Sequence, residues 1–438
     1  MIRQSLLSVV SILAVGAAAQ AQDAQEFPAL LIEHAQLPAQ TFLPAPADAP
    51  AGLNISGRFA GGERSEAPYS VIDANSGLGR PFPGQPLQGF SGVRSLGEDR
   101  FLFLTDNGFG NKFNSSDAML MFNILLPDWQ TGQVAIEKTV FLSDPNRVVP
   151  FPITNEHTDT RYLTGADFDP ESIQPVGDHY WIGDEFGPWL IEVDAEGVVQ
   201  QVFATEPGGE LLRSPDNFFI GSVNPGASQP ENVRTFSSGG YEGMALGEDG
   251  TTLYPLLEKP IWMPEEGAQE TVDGTPVLRM FEFDTQAGEW SDVIRYYPLD
   301  DANHAIGDFN IIEGTRALII ERDNNQGDPR DESVENPAEF KRIYLVDLER
   351  ADENGVLEKI AYIDLMNIED PDGIAPRGSI EGVFNFPFVT IEDVDRVDET
   401  TIVVANDNNY PGSTGREQGR ADDNEIILLD VADFLAAE

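Results

Sequence analysis

Five times along this chain a short apolar run ends in a cluster of acid, amide and glycine, and a second such run then follows it. The first members read Phe90-Ser91-Gly92-Val93, Asp169-Pro170-Glu171-Ser172-Ile173, Tyr241-Glu242-Gly243-Met244, Ala305-Ile306-Gly307-Asp308-Phe309 and Ile380-Glu381-Gly382-Val383. The second members read Phe103-Leu104-Thr105-Asp106-Asn107, Trp181-Ile182-Gly183-Asp184-Glu185, Leu256-Leu257-Glu258-Lys259, Ile319-Ile320-Glu321-Arg322-Asp323 and Val403-Val404-Ala405-Asn406-Asp407-Asn408. Similarity at intervals of tens of residues marks an array, in which one supersecondary unit buries its apolar face only against its neighbours.

The 41 glycines and 31 prolines are spread along the whole chain, and β-branched and aromatic residues dominate the runs between them. That texture belongs to short strands with tight turns. Each repeat reads as four strands, so the expected fold is all-β. Residues 22–438 are expected to form one β-propeller with five countable blades, and residues 52–88 offer an incomplete sixth. The fifth blade is expected from Ser379–Phe384, Thr400–Ala405 and Glu425–Asp430, one strand short. Leu30–Leu37 resembles the missing outer strand, and closing the ring with it removes exposed edges. Long loops are expected at 205–239, 259–276, 324–341 and 409–424. The tail Val431–Ala437 is the best helix candidate.

Met1-Ile2-Arg3, the apolar run Leu6–Ala18 and Ala19-Gln20-Ala21 form a signal-peptide pattern with cleavage after Ala21, so a periplasmic or secreted protein is expected. No later run has the roughly 20 apolar residues of a membrane span. Cysteine is absent, so no disulfide staples the fold. The 75 acids against 26 bases give a net charge of −49, which excludes nucleic acid as a partner, because a polyanion repels the phosphate backbone. Divalent cations suit such a field.

Strand ends in a ring converge on one mouth, so the recurrent acids are candidates for a hard-cation site. The candidate metal ligands are Asp106, Glu171, Asp184, Glu185, Glu242, Glu258, Asp308, Glu321, Asp323, Glu381, Asp407 and Asn408. Carboxylate and amide oxygens in that number suit calcium, which takes six to eight oxygens. Turn chemistry explains Asn107, Gly108 and Asn409, but it explains the glutamates poorly. Arg322 and Lys259 stand beside acidic strand ends and are candidates for holding an anionic substrate group, as arginine and lysine do at phosphate. His304 precedes the fourth inner strand and is a third catalytic candidate. Nucleophile-elbow, P-loop, dinucleotide-binding and zinc-protease motifs are absent.

Taken together, Gln88-Gly89-Phe90-Ser91-Gly92, Leu104–Gly110, Asp169–Ile173, Gly183–Pro188, Gly240–Ala245, Glu321-Arg322-Asp323-Asn324 and Asn406–Tyr410 resemble the phytase-like family, "esterase-like activity of phytase". The resemblance runs from about residue 52 to 430. It implies an exported β-propeller that hydrolyses phosphate or other esters. By looser analogy with β-propeller phytases, calcium would bridge substrate phosphate to protein carboxylates. The first expectation is therefore a calcium-dependent phosphoric ester hydrolase acting on a small-molecule ester. The chain lacks the dense Lys/Arg lining suited to phytate itself. Two alternatives stand beside it: a non-catalytic binding propeller with structural calcium, and a carboxylesterase or lactonase on the same scaffold.

Overall fold

The computed structural model describes residues 24–438, apart from 68, 70, 222, 223 and 226–231. The signal-peptide reading of residues 1–21 lies outside the described residues. The chain is all-β apart from short helical turns, including Ala432–Leu435 within the expected helical tail.

Five antiparallel units follow one another. In the first, Phe90–Ser95, Phe101–Thr105, Met121–Asp128 and Gln133–Phe141 pair in order. The second uses Pro170–Val176, His179–Asp184, Trp189–Asp194 and Val199–Ala204. The third starts with Tyr241–Leu246 and Thr252–Leu257, and its outer strands are broken into Thr275–Met280, Phe283–Asp284, Glu289–Trp290 and Arg295–Pro298. Ala305–Glu313, Arg316–Arg322, Lys341–Ala351 and Leu357–Asp364 form the fourth, with Gln25–Phe27 added in parallel at its edge. The fifth uses Asp393–Arg396, Thr401–Ala405 and Asn424–Asp430, and Leu30–Leu37 from the other terminus is its fourth strand.

The second strands read as near-continuous apolar runs because both of their faces are buried, with alternate side chains serving different neighbours. Leu102 and Leu104 join the second unit through Ile173 and Ile182. Trp181 and Leu190 meet Tyr241 and Met244 of the third. Leu278 and Met280 meet Phe309 and Ile319 of the fourth. Leu318 and Ile320 meet Val394 and Ile402 of the fifth, with Leu31 in the same cluster. Val403 and Ile426 close the circle on Phe90, Phe101 and Phe103 of the first. Each joint thus has its own apolar core, and the first strands touch in cyclic order around a central axis.

Two expectations are corrected here. The first strand of the fifth unit is Asp393–Arg396; Ser379–Ile380 and Val383–Phe384 instead make a small hairpin turning at Glu381. Among the described residues of 52–88, the incomplete sixth blade is not formed. These residues form two-residue ribbons, Phe59–Ala60 with Glu63–Arg64 and Val71–Ile72 with Gly79–Arg80. Antiparallel strands alternate direction, so every loop after a second strand and every entry to a first strand lies on the same face. That face carries the long connections and the acidic strand ends.

Candidate active site at one mouth of the ring

The first strands enter with a bulge. In the second unit Pro170 pairs with Asp184 and Ser172 with Gly183, leaving Glu171 as the extra residue. In the third, Tyr241 pairs with Leu257 and Gly243 with Leu256, leaving Glu242. A bulge takes a side chain off the ladder and re-aims it. The register shifts at the same place in the first and fourth units, where Ser91 and Gly307 occupy the bulge. The fifth unit has no bulge there, and Glu392 takes the equivalent place just before Asp393. A second tier comes from the last residue of the fourth unit's second strand, Arg322, and from residues just past the other second strands: Asp106, Glu185, Glu258 and Asp407. In the fourth unit, therefore, glycine and arginine stand where most other units have carboxylates.

Asp169, Glu171, Glu185, Glu242, Glu258, Glu392 and Asp407 are buried, while Asp106 keeps part of its surface open. Oxygens of Asp169, Glu171 and Glu185 lie within 4.8 Å of one another. Two unit charges at that spacing repel by roughly 3–4 kcal/mol at an effective dielectric of about 20. Burial, then Asp169, Glu242 and Glu185, pushes Glu171 well above the usual carboxylate range. Burial, then Glu258 and Asp169, does the same to Glu185. Glu242 is raised by burial and by Glu392. Burial and the charges of Asp407 and Asp169 raise Asp106. Asp169 is pushed up to about 6 by burial, and Asp407 to about 8 by burial and Glu392.

The compensation inside the cluster is thin. Arg322 Nη2 stands 3.4 Å from Glu258 Oε1 and 3.3 Å from Glu392 Oε1. Its Nη1 donates to Asn324 Oδ1 at 2.8 Å, and its Nε is buried without a partner. Lys259 Nζ is 2.9 Å from Glu258 Oε2 and also donates to the carbonyls of Ser237 and Ser238. Ser91 Oγ donates to Glu392 Oε2 at 3.2 Å. Glu185 Oε1 and Glu242 Oε1 are buried with no hydrogen-bond partner.

Other sequence candidates are placed elsewhere or are already occupied. Asp184 accepts the amides of Asp169 at 2.8 Å and Gly187 at 2.6 Å, so it shapes a loop behind the cluster. Asp308 sits one layer deeper on the axis and accepts from Val394 N at 3.1 Å and Asn310 Nδ2 at 2.8 Å. Glu321 points away from the mouth, because it precedes Arg322 in the same strand and successive side chains of a strand leave on opposite faces. It accepts from Tyr297, Lys359, Asp300 N and His304 Nδ1, the last at 2.9 Å. His304 is thereby bound to Glu321, apart from the carboxylate tiers. Asp323 takes Lys341 Nζ at 2.9 Å and the amides of Glu339 and Phe340. Asn408 spends its side chain on Gly89 N, Gln88 and Asp422 O. Glu381 is exposed, at a left-handed φ of 53° in its hairpin turn.

Glu392 and Asp169 were missing from the sequence-derived set. Glu392-Asp393-Val394 repeats the spacing of Glu171-Ser172-Ile173 and Glu242-Gly243-Met244, but an aspartate replaces the small middle residue and hides the likeness. Asp169 carried a direct signal, since it opens the quoted motif Asp169-Pro170-Glu171.

The donor set fits a hard cation. Calcium binds oxygens at about 2.3–2.6 Å, so opposed ligands can stand up to about 5 Å apart. The Asp169–Glu171–Glu185 spacing falls inside that limit, and Glu185 brings an oxygen with no other partner. Gly89 keeps this side open: at φ +69° its added Cβ would meet Asp106 Oδ1 at 2.3 Å.

Among known families, the one described as phytase-like, "esterase-like activity of phytase", matches residues 85–410. No curated protein matches the chain. Among solved structures, a luciferin-regenerating enzyme is 11% identical, covering 78% of this chain and 91% of its own with a TM-score of 0.33. A candidate 6-phosphogluconolactonase from Bacteroides uniformis is 11% identical, covering 80% and 88% with a TM-score of 0.30. Both likenesses are too distant to transfer a fold or a substrate. Among the described residues no helix is long and apolar enough to cross a membrane.

Proposed function

This chain belongs to the phytase-like family, "esterase-like activity of phytase", and from that premise we propose that it is an exported five-bladed β-propeller hydrolysing small-molecule esters at its carboxylate-lined mouth. The observation that carries the reading is the excess of buried carboxylates over Arg322 and Lys259, the cations in direct contact with them among the described residues, with oxygens of Glu185 and Glu242 left unpartnered. Burial without compensation is costly for an ionised group, so protons or a cation must balance the cluster. Asp169, Glu171 and Glu185 would hold calcium, with Asp106 and Asp407 on the adjoining side. Bound there, calcium supplies positive charge to an ester oxygen and lowers the pKa of a coordinated water.

The remaining roles fall to the chain's own groups. Arg322 has a free Nε donor and only long contacts to Glu258 and Glu392, so it can turn toward an anionic ester oxygen. Lys259 holds Glu258 in place and ties it to the carbonyls of the preceding loop. Glu242, whose affinity for a proton is raised by burial and Glu392 and whose Oε1 faces no partner, is the candidate general acid.

A phosphoric ester is the first reading. A carboxylic ester or lactone is the second, favoured by the same scarcity of cations, since a polyanionic substrate would meet mostly negative charge. The test is turnover of p-nitrophenyl phosphate, bis-p-nitrophenyl phosphate and p-nitrophenyl acetate in calcium and in chelator. Loss of about 100-fold or more in chelator, regained with calcium, is expected. Activity indifferent to chelator removes the metal, and none on any ester leaves only a binding protein.

A further inference from the structure

A cavity of about 450 Å³ opens beside the mouth over the fourth unit. Its lining includes Asp301, Asn303, His304, Asn324, Asn325 and Phe340. It adjoins the carboxylate tiers through one residue: Asn324 Oδ1 accepts from Arg322 Nη1 at 2.8 Å, and its Nδ2 donates to Asn303 O at 2.9 Å. The departure of the fourth unit from the carboxylate pattern and the cavity thus occur at one place.

The lining is preorganised. His304 Nδ1 lies 2.9 Å from the fully buried Glu321, itself held by Tyr297 and Lys359, which fixes the imidazole and leaves Nε2 free of that carboxylate. The imidazole packs on Phe340 with ring centroids 4.2 Å apart. Asparagine amides and the imidazole offer polar partners, and Phe340, whose faces carry His304 and the Arg342 guanidinium at 4.4 Å from the ring centroid, offers its ring edge as apolar surface. The lining contains carboxylates and no lysine or arginine, so it disfavours an anionic occupant.

Resting on the ester-hydrolase reading above, we propose that this cavity is the subsite for the alcohol half of the substrate, and that this alcohol is an uncharged polyhydroxylated molecule of sugar or polyol type. Hydroxyl groups match the amide and histidine groups, and the C–H groups of a sugar ring match the edge of Phe340. On hydrolysis, water supplies the hydroxyl that stays with the acyl or phosphoryl group. It also supplies the proton taken by the departing alkoxide, so the released alcohol leaves neutral. A polyphosphorylated alcohol is rejected by the acids of the lining.

The test is saturation-transfer NMR on the full mature chain with methyl β-glucopyranoside as probe, in chelator. Transfer to the glucoside is expected, reduced about fivefold or more both by Asn325→Trp, which fills the cavity from an exposed side chain, and by Phe340→Leu. No transfer to the wild type, or equal transfer to all three proteins, overturns the subsite. Transfer to inositol hexakisphosphate equal to that for the glucoside overturns its selectivity. Because the measurement needs no turnover, the two readings separate. Ester hydrolysis without glucoside binding overturns the subsite alone, whereas glucoside binding without any ester hydrolysis overturns the hydrolase and leaves the cavity a sugar site.

Discussion

Arg322 is the one guanidinium in the two carboxylate tiers, and its surroundings set what replacing it does. Arg322→Met leaves Glu258 and Glu392 without their cation. Breaking a buried pair costs about 3–5 kcal/mol, and contacts as long as 3.3 and 3.4 Å place this one toward the lower end. The expected result is a lower denaturant midpoint in chelator, and turnover reduced about 100-fold in calcium. The carboxyls set a pH dependence of their own. Asp169 is raised to about 6, Asp308 to about 7, and Asp184 and Asp407 to about 8, each chiefly by burial. Folded values above the unfolded one mean that the native state binds more protons, so their stabilisation is full below about pH 4 and is lost as pH rises toward 8. Glu425 acts oppositely: burial opposes, but Arg416 and His34 hold it down to about 2, and its contribution is lost in acid. In chelator the melting temperature should therefore peak near pH 5 and fall by pH 8.5, and calcium should flatten that fall. A melting temperature that rises from pH 5 to 8.5 in chelator contradicts these assignments.

At the scale of the element, most strands were legible because their apolar runs are uninterrupted and their ends carry glycine or acid. His179–Asp184, Trp189–Asp194, Thr252–Leu257 and Leu357–Asp364 are readable to within a residue. So is Leu30–Leu37, whose pairing with Asn424–Asp430 completes the fifth unit. The fifth first strand was not legible, because Asp393-Val394-Asp395-Arg396 alternates acid with apolar residues on the axis. The hairpin at Ser379–Phe384 copied the motif more closely than the true strand did. Bulge register was also hidden, and with it the difference between Glu321 and Arg322, neighbours in one strand whose side chains leave on opposite faces. The closing strand carries an expectation of its own. Leu31→Ala removes a fully buried side chain from the cluster joining the fourth and fifth units, and should cost about 2–5 kcal/mol by urea unfolding. Deleting residues 24–37 exposes the edge of Asn424–Asp430, and should yield aggregated protein rather than a monomer by gel filtration.

For the whole molecule, ring closure and charge act together. Five apolar joints hold the strands rigidly enough to keep like charges close, and the net charge of −49 gives the mouth no relief from outside. The ring as a class was readable from repetition. Which acids face the axis was not, because that depends on bulges and on the entry of each unit. Glu392, at the fifth entry, interacts with Glu242, Glu258 and Arg322, and Glu392→Gln should weaken calcium-dependent turnover more than Glu381→Gln, whose exposed hairpin lies outside the tiers. The decisive measurement is anomalous diffraction from a crystal soaked in calcium. A peak bonded to Asp169, Glu171 and Glu185, absent from a Glu171→Gln/Glu185→Gln crystal, is the expected result. An empty mouth at saturating calcium, with the three carboxylates unchanged, would contradict the account.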